Sequence, residues 1–315
     1  MTTIEPRATK AKPPKAQKRA FSSTSSRKGL AGWLFMMPFT LIFIIFLVAP
    51  LAYAAYLSTM QKSIIGGTSF VGLDNYVKAF TDPEFIDGLG LVIRFALVLI
   101  PTQMMISLVL ALVLDTLTSR FSKAARLMIF LPYAIPAVIG ALMWGFLYSK
   151  NFGPLGELFS LFSVQAPDIL GKQLIFFGLM NIVTWQWAGY YMIILYAALQ
   201  GIDTSLYEAA RIDGASNLQI VTHIKIPLVA PALVLILVFA VIGTLQFFTE
   251  PQILRPLAAG AIDASFTPNM YAYQQAFLLA NFNYGSTISF ALGAVVFICV
   301  YVFIFFTRRR GGFLL

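Results

Sequence analysis

The sequence predicts an all-α, polytopic membrane protein with six transmembrane helices, and three observations carry that prediction. Of its 315 residues, 59% are hydrophobic and only 11% charged, against roughly 45–50% and 25% in an ordinary soluble domain. A soluble chain of this length would need polar surface that this one lacks. Six continuous apolar runs each reach the roughly 20 residues that a helix needs to cross a hydrocarbon core. The runs do not alternate in polarity, so helices, which satisfy their own backbone groups without water, are expected over a barrel. Lys and Arg are also distributed unevenly between the connecting segments. The same composition excludes disorder and collagen-like structure, while a lone cysteine (Cys299) and a lone histidine (His223) exclude an intrachain disulfide framework and an all-protein zinc site.

The elements follow in chain order. Residues 1–29 mix Lys, Pro, Ser and Thr with almost no apolar content, so a disordered, basic cytoplasmic leader is expected there. Residues 30–315 form the membrane domain, with spans at about 32–57, 89–114, 127–148, 174–199, 228–249 and 286–307. The first run follows a basic leader, and Ala52-Tyr53-Ala54 has the form of a cleavage site. Its apolar length, however, far exceeds the roughly 7–15 residues of a secretory signal core, so it is read as a retained span. Pro101 in the second span and Pro132 and Pro136 in the third each remove a backbone donor and predict kinks.

With the N-terminus inside, sixteen of the 22 Lys and Arg fall on the inner side and five (Lys62, Lys78, Lys150, Lys172, Arg255) on the outer, with Arg94 inside a span. That bias places both termini in the cytoplasm. The net charge of +9 therefore reports topology and contact with anionic membrane lipid, not nucleic acid.

The spans are nearly free of ionisable groups. Arg94 and Glu250 lie near outer ends and Asp115 near an inner end, which argues against a carrier that keeps its coupling ion on charged side chains. No G-x-x-x-x-G-K-[ST] is present, so uphill movement would draw on a partner for energy. In the fourth span Asn181, Thr184, Trp185, Gln186, Trp187, Tyr190 and Tyr191 cluster. Ring faces beside amides and hydroxyls suit a sugar, and the same residues also suit packing between helices. Asn181 and Trp185 share one side of the helix, Trp187, Tyr190 and Tyr191 another. Gln246 and Thr249 of the fifth span are further candidates of this kind.

The loop 201–227 holds the strongest local signals. Ser205 with Glu208 reads as a capping box, Gly214 as a left-handed helix end, and Ser216 with Gln219 as a second capping box, with Pro227 opening the next span. Two short helices joined by a tight turn are expected. Ala209, Ala210, Gly214 and Ala215 would let another backbone approach, and Glu208, Arg211 and Asp213 place charge around that patch. A solvated loop with an internal Glu208–Arg211 pair would read the same way.

At these residues the chain resembles a known family. Glu208-Ala209-Ala210, Gly214 and Ile224-Lys225-Ile226-Pro227 are similar to the EAA-x3-G-x9-I-x-L-P motif of permease subunits of binding-protein-dependent ABC importers, with Ile226 where Leu is usual. Phe70-Val-Gly-Leu-Asp-Asn-Tyr76, Phe130-Leu-Pro-Tyr133 and Ala141-Leu-Met-Trp144 resemble the carbohydrate branch, which includes maltose and glycerol-3-phosphate permeases. The outer loop Leu254-Arg-Pro-Leu-Ala-Ala-Gly-Ala-Ile-Asp263 departs from the Gly-Gly-Pro form of many relatives.

The resemblance implies an ABC importer permease of the bacterial inner membrane, not an enzyme, passing a sugar or sugar-like solute. It implies a second homologous permease, a dimer of ATP-binding subunits that carry the ATP and Mg, and an extracytoplasmic solute-binding protein, with no cofactor on this chain. It further implies that Glu208, Ala209, Ala210, Arg211, Asp213 and Gly214 couple to the ATPase. Asn181, Trp185, Gln186, Tyr190, Gln246 and Thr249 are the expected solute path. A secondary carrier or a membrane anchor or assembly protein remains the alternative. The first would transport without an ATPase, and the second would tolerate changes at Trp185 and Gln186.

Overall fold

The computed structural model describes residues 25–63, 66–116, 120–150 and 152–309. It is almost entirely helical, and five of its helices are long and apolar enough to cross a membrane, or six when one sharply bent pair counts as a single span. The chain divides into a first unit up to Tyr53 and a body from Ala54 onward. In the first unit α1 (Ser25–Phe43) leads through a π turn (Ile44–Val48) into α2 (Ala49–Ser58), whose residues from Ala54 onward belong to the body. Helix α1 therefore begins inside the stretch expected to be a disordered leader, and residues 1–24 of that stretch lie outside the described residues.

The body opens with a hairpin, β1 (Met60–Ser63) against β2 (Gly67–Phe70), in antiparallel register with Met60 opposite Phe70. Next come α3 (Asp74–Ala79) and α4 (Pro83–Thr116). Asp82 caps α4: its carboxylate accepts the Glu84 N–H at 3.1 Å, and Pro83 occupies the first helical position, where its missing donor costs nothing. Pro101 lies inside α4, which continues through it as one helix. The helix is held to a neighbour just beyond it, because Gln103 Nε2 donates to the Val183 carbonyl (3.1 Å) and Ser107 Oγ to that of Ala188 (3.0 Å).

That neighbour is α8 (Ile175–Gln200), the axis of the body and the most buried of the long helices. It packs against α4, against α5 (Arg120–Ala134) and against α12 (Ala230–Leu245). Where it crosses α5 the approach is backbone to backbone. A Cβ on Gly189 would sit 1.9 Å from the Ile129 carbonyl oxygen, so only glycine fits.

The third span is broken, not merely kinked. Helix α5 and α6 (Ala137–Tyr148) meet at 97°. Pro136 leaves the helical region (φ −54°, ψ 134°), while Pro132 is absorbed within α5. The carbonyl of Ile135 at the break is satisfied by Gln186 Nε2 of α8 at 3.0 Å, as a low-dielectric setting requires.

The short helix α7 (Pro154–Leu161) lies between α6 and α8 in sequence. Between α8 and α12 come α9 (Thr204–Ile212), α10 (Asn217–Ile220), a π turn (Val221–Lys225) and α11 (Ile226–Leu228). After α12 the chain unwinds at Gln246–Phe248 and resumes as α13 (Thr249–Leu254). Helix α14 (Pro268–Tyr273) and α15 (Phe282–Arg309) complete the body.

At the end carrying β1 and β2, buried amides and hydroxyls replace water. Asn75 donates to the Ser58 and Met60 carbonyls (3.0 and 2.9 Å), Asn283 to that of Leu57 (3.0 Å) and Thr287 to that of Ser58 (3.1 Å).

Candidate functional site

Two features stand out: a cavity among the long helices and an exposed pair of short helices at 204–220. The cavity, of about 490 Å³, is bounded by α4, α5, α8, α12 and the unwound segment before α13. Its aromatic wall is built on one side of α8. Tyr190 stacks on Tyr133 of α5, centroids 4.4 Å apart and planes at 14°, and Trp187 meets Tyr133 edge-on at 5.4 Å. Such offset and edge contacts hold the rings rigid. The polar groups come from Gln103, Thr244, Gln246, Thr249 and Glu250.

The unwinding that brings Gln246 and Glu250 to this cavity has a local cause. Pro251 has no N–H to give to Phe247, so a helix running straight through would lose a bond and clash. Restarting the helix at Thr249 puts Pro251 in a first turn, where no intrahelical donor is needed. Phe248 takes the strongly non-helical φ −145°, ψ −52°. The break is pinned on both sides. Phe247 stacks on Phe95 of α4 at 4.9 Å, and Asn269 Nδ2 donates to the Gln246 carbonyl at 2.8 Å. Glu250 is 7% exposed, and it is the one charged side chain among the described residues that line the cavity.

Of the residues expected along a solute path, Tyr190, Gln246 and Thr249 line the cavity and Asn181, Trp185 and Gln186 do not. Asn181 Nδ2 donates to the Tyr148 hydroxyl at 2.7 Å. Trp185 lies edge-on to Trp144 at 5.7 Å. Gln186 donates Nε2 to the Ile135 carbonyl. The cavity thus faces the Trp187–Tyr190–Tyr191 side of α8, and the Asn181–Trp185 side packs on α6. Glu250, Gln103, Thr244 and Tyr133 also line the cavity, and sequence reasoning had not assembled them there. The signal that could have found the first was Pro251, which marks the helix restart beside it.

At the 201–227 loop the two short helices form with one change of cap. Asp203, not Ser205, caps α9, accepting the Ser205 N–H at 2.9 Å. The Ser205 backbone N–H and hydroxyl hold the exposed Asp203 carboxyl below its ordinary value. Asp203 wins because its carboxylate is a charged acceptor placed at the positive end of the helix. Helix α9 ends as a Schellman turn. The Ala215 N–H reaches the Ala210 carbonyl (2.9 Å), the Gly214 N–H that of Arg211 (3.1 Å), and Gly214 takes φ +85°. Ser216 and Gln219 form the reciprocal capping box of α10.

Glu208, Ala209, Arg211, Asp213 and Gly214 are exposed and Ala210 half-buried. Around them Leu206, Ile212 and Leu218 also face outward, Ile212 at 87% exposure and Leu218 at 72%. An outward apolar set beside small residues, on a rigidly capped knob, is a surface built to be covered.

Residues 103–309, which hold the cavity, the loop and the last three long helices, match the family described as "Binding-protein-dependent transport system inner membrane component". The chain is 29% identical to the lactose transport system permease protein LacF of Rhizobium radiobacter, over 91% of this chain and 99% of that protein. It is 27% identical to the trehalose/maltose transport system permease protein MalF of Thermococcus litoralis, over 85% of this chain and 90% of that one. A chain of the bacterial alginate ABC transporter, solved with an alginate pentasaccharide-bound periplasmic protein, superposes with a TM-score of 0.80 at 21% identity. That likeness is one of fold, and it covers 90% of this chain and 96% of the other. With two thirds of its length matched and its break, cavity and capped loop inside that match, the chain belongs to the family of binding-protein-dependent transport system inner membrane components.

Proposed function

We propose that this chain is the permease subunit of an ATP-driven ABC importer that passes a sugar or sugar-like solute, delivered by an extracytoplasmic binding protein, through the cavity at the broken fifth span. The hydrolytic chemistry lies on separate subunits. A pair of ATP-binding subunits, carrying the nucleotide and its Mg, docks on α9 and α10, and a second, similar permease completes the translocation path. Both termini lie on the ATPase side.

The observation that carries this reading is the 204–220 knob. Its caps make it stiff, and its exposed Ile212 and Leu218 beside Ala209 and Gly214 give a neighbour's groove an apolar, low-relief surface to close on. Glu208 and Arg211 flank that surface with opposite charges able to fix register. Support for the solute class comes from the cavity's chemistry, ring faces with amide, hydroxyl and carboxylate groups at their edge, and from the lactose and trehalose/maltose permeases among its relatives.

The test is reconstitution with the ATP-binding subunit. The unaltered chain should hold an ATP-hydrolysing partner through purification in mild detergent. Glu208→Lys and Gly214→Asp should insert normally yet abolish binding-protein-dependent uptake. Full uptake in both variants would remove the knob from the mechanism, and uptake by the chain with no ATPase present would make it a secondary carrier.

A further inference from the structure

A buried ion pair sits where the loop meets the membrane helices. Lys225 Nζ lies 2.5 Å from Asp115 Oδ2, and the two side chains are 11% and 9% exposed. Asp115 is the penultimate residue of α4, and Lys225 closes the π turn that leads from α10 into α11 and α12. Two more elements join them. Gln200, the last residue of α8, donates Nε2 to Asp115 Oδ1 at 2.7 Å. Tyr207 of α9 presents its ring to the Lys225 ammonium at 5.1 Å. The Tyr207 hydroxyl is buried without a hydrogen-bond partner among the described residues, so the ring is held there by packing and by the cation. Four elements, α4, α8, α9 and the π turn, therefore converge on one ion pair.

The placement is electrostatically demanding. An acidic residue in the last turn of a helix opposes the helix dipole, and a buried carboxylate is costly without a partner. Asp115 would be a poor choice for mere solubility or topology at this position. It is tolerable because Lys225 neutralises both the side chain and the helix end. A hydrophobic contact would seal the same junction, but it would let the elements slide. A short ion pair with a fixed amide donor resists both shear and separation, because each ångström of movement exposes an unpaired buried charge.

We infer that the Asp115–Lys225 pair is the link through which displacement of the docking helix α9 reaches α4 and the start of the fifth span, so that both are positioning residues for energy coupling. The path runs from α9 through the Tyr207 ring to Lys225. There it divides, along α11 and α12 toward the unwound segment at Gln246–Phe248 and across to Asp115 and α4, which also lines the cavity. The inference rests on the importer reading, since it needs an ATPase to move α9.

The test uses the assembled transporter, this chain with its ATP-binding subunit in lipid nanodiscs, and reads amide hydrogen exchange with and without ATP in two segments, 204–220 and 246–250. In the unaltered complex ATP should change exchange in both. In Asp115→Asn and in Lys225→Met the loop should still respond and ATP hydrolysis should continue, while the response at 246–250 falls about fivefold or more, the scale of an ordinary coupling energy. Lys225→Arg, which keeps a cation for both Asp115 and the Tyr207 ring, should retain the response at 246–250. An undiminished response at 246–250 in the single variants would overturn the inference. So would loss of the ATPase from both single variants, which would make the ion pair a structural staple only. A complex in which ATP alters neither segment of the unaltered chain would instead count against the importer reading.

Discussion

Asp82 shows how one residue can organise an interface. Its carboxylate accepts hydrogen bonds from the hydroxyls of Tyr271 and Tyr284, each at 2.7 Å, and also caps α4. Glu84, two residues on, is hydrogen-bonded to Ser265 of the segment between α13 and α14. Partial burial pushes the Asp82 carboxyl up, but the Tyr271 and Tyr284 hydroxyls, the Glu84 N–H and nearby Lys78 outweigh it and leave the group below its ordinary value of 3.8. Burial, and then the Asp82 carboxylate, raise the Tyr271 hydroxyl well above its usual range, so it stays a donor at every physiological pH. A depressed acid contributes stability that is fully present above its unfolded value and is lost as pH falls through the folded one. The stability difference between the unaltered chain and Asp82→Asn should therefore be constant from neutrality down to about pH 5 and should shrink only below that. Thermal unfolding of both proteins across that range in detergent checks it. A difference that already declines between pH 7 and pH 5 would remove Asp82 as its source.

At the scale of elements, helix crossings in a membrane depend on small residues, because lipid gives no hydrophobic drive between helices. The α8–α5 crossing at Gly189 is such a case, since a methyl there would meet the backbone of Ile129 and Phe130 and not a side chain that could move aside. Gly189→Ala should cost about 1–3 kcal/mol as the helices are forced apart. Gly243→Ala is the control, because a Cβ at Gly243 meets nothing within 4 Å. Equal unfolding temperatures for the two variants would contradict the close approach. The existence of these elements was legible in the apolar runs, and the loop was legible in its turn chemistry, down to the left-handed Gly214 and the Ser216 box. What the sequence did not reveal were pairings across distance. Gln186 reads as a polar residue of the fourth span, and the fold pairs its Nε2 with a carbonyl freed by Pro136 some fifty residues earlier. Asp203 outcompetes Ser205 for the cap by charge, a contest that spacing alone does not decide. Lys225 reads as an inner-side positive charge, and only the fold brings Asp115 to it.

Over the whole molecule, the fifth span unites the two functional regions. Between Lys225 and Gln246 lie 21 residue steps, about 30 Å of helix and so roughly one hydrocarbon thickness. The capped 204–220 knob stands at one end of that rod and the unwound, cavity-lining segment at the other. In the proposed coupling, work delivered to the knob reaches the unwound segment and, just beyond it, Glu250 of α13, the lone charge in the described cavity wall. A carboxylate beside ring faces accepts hydrogen bonds from solute hydroxyls, and hydrogen bonds to a charged group are worth about 1.5–3 kcal/mol. Replacing it with an amide of the same shape keeps the packing and removes the charge. Glu250→Gln should therefore lower binding-protein-dependent uptake by about tenfold or more, at 1.4 kcal/mol per decade, while the complex still assembles and hydrolyses ATP. Asn181→Ala, which alters a polar residue of α8 on the side away from the cavity, should leave uptake within about threefold. Transport and ATP hydrolysis measured side by side in proteoliposomes separate the two. If Asn181→Ala is the more damaging change, the solute passes along the opposite side of α8 from the one that the broken fifth span exposes.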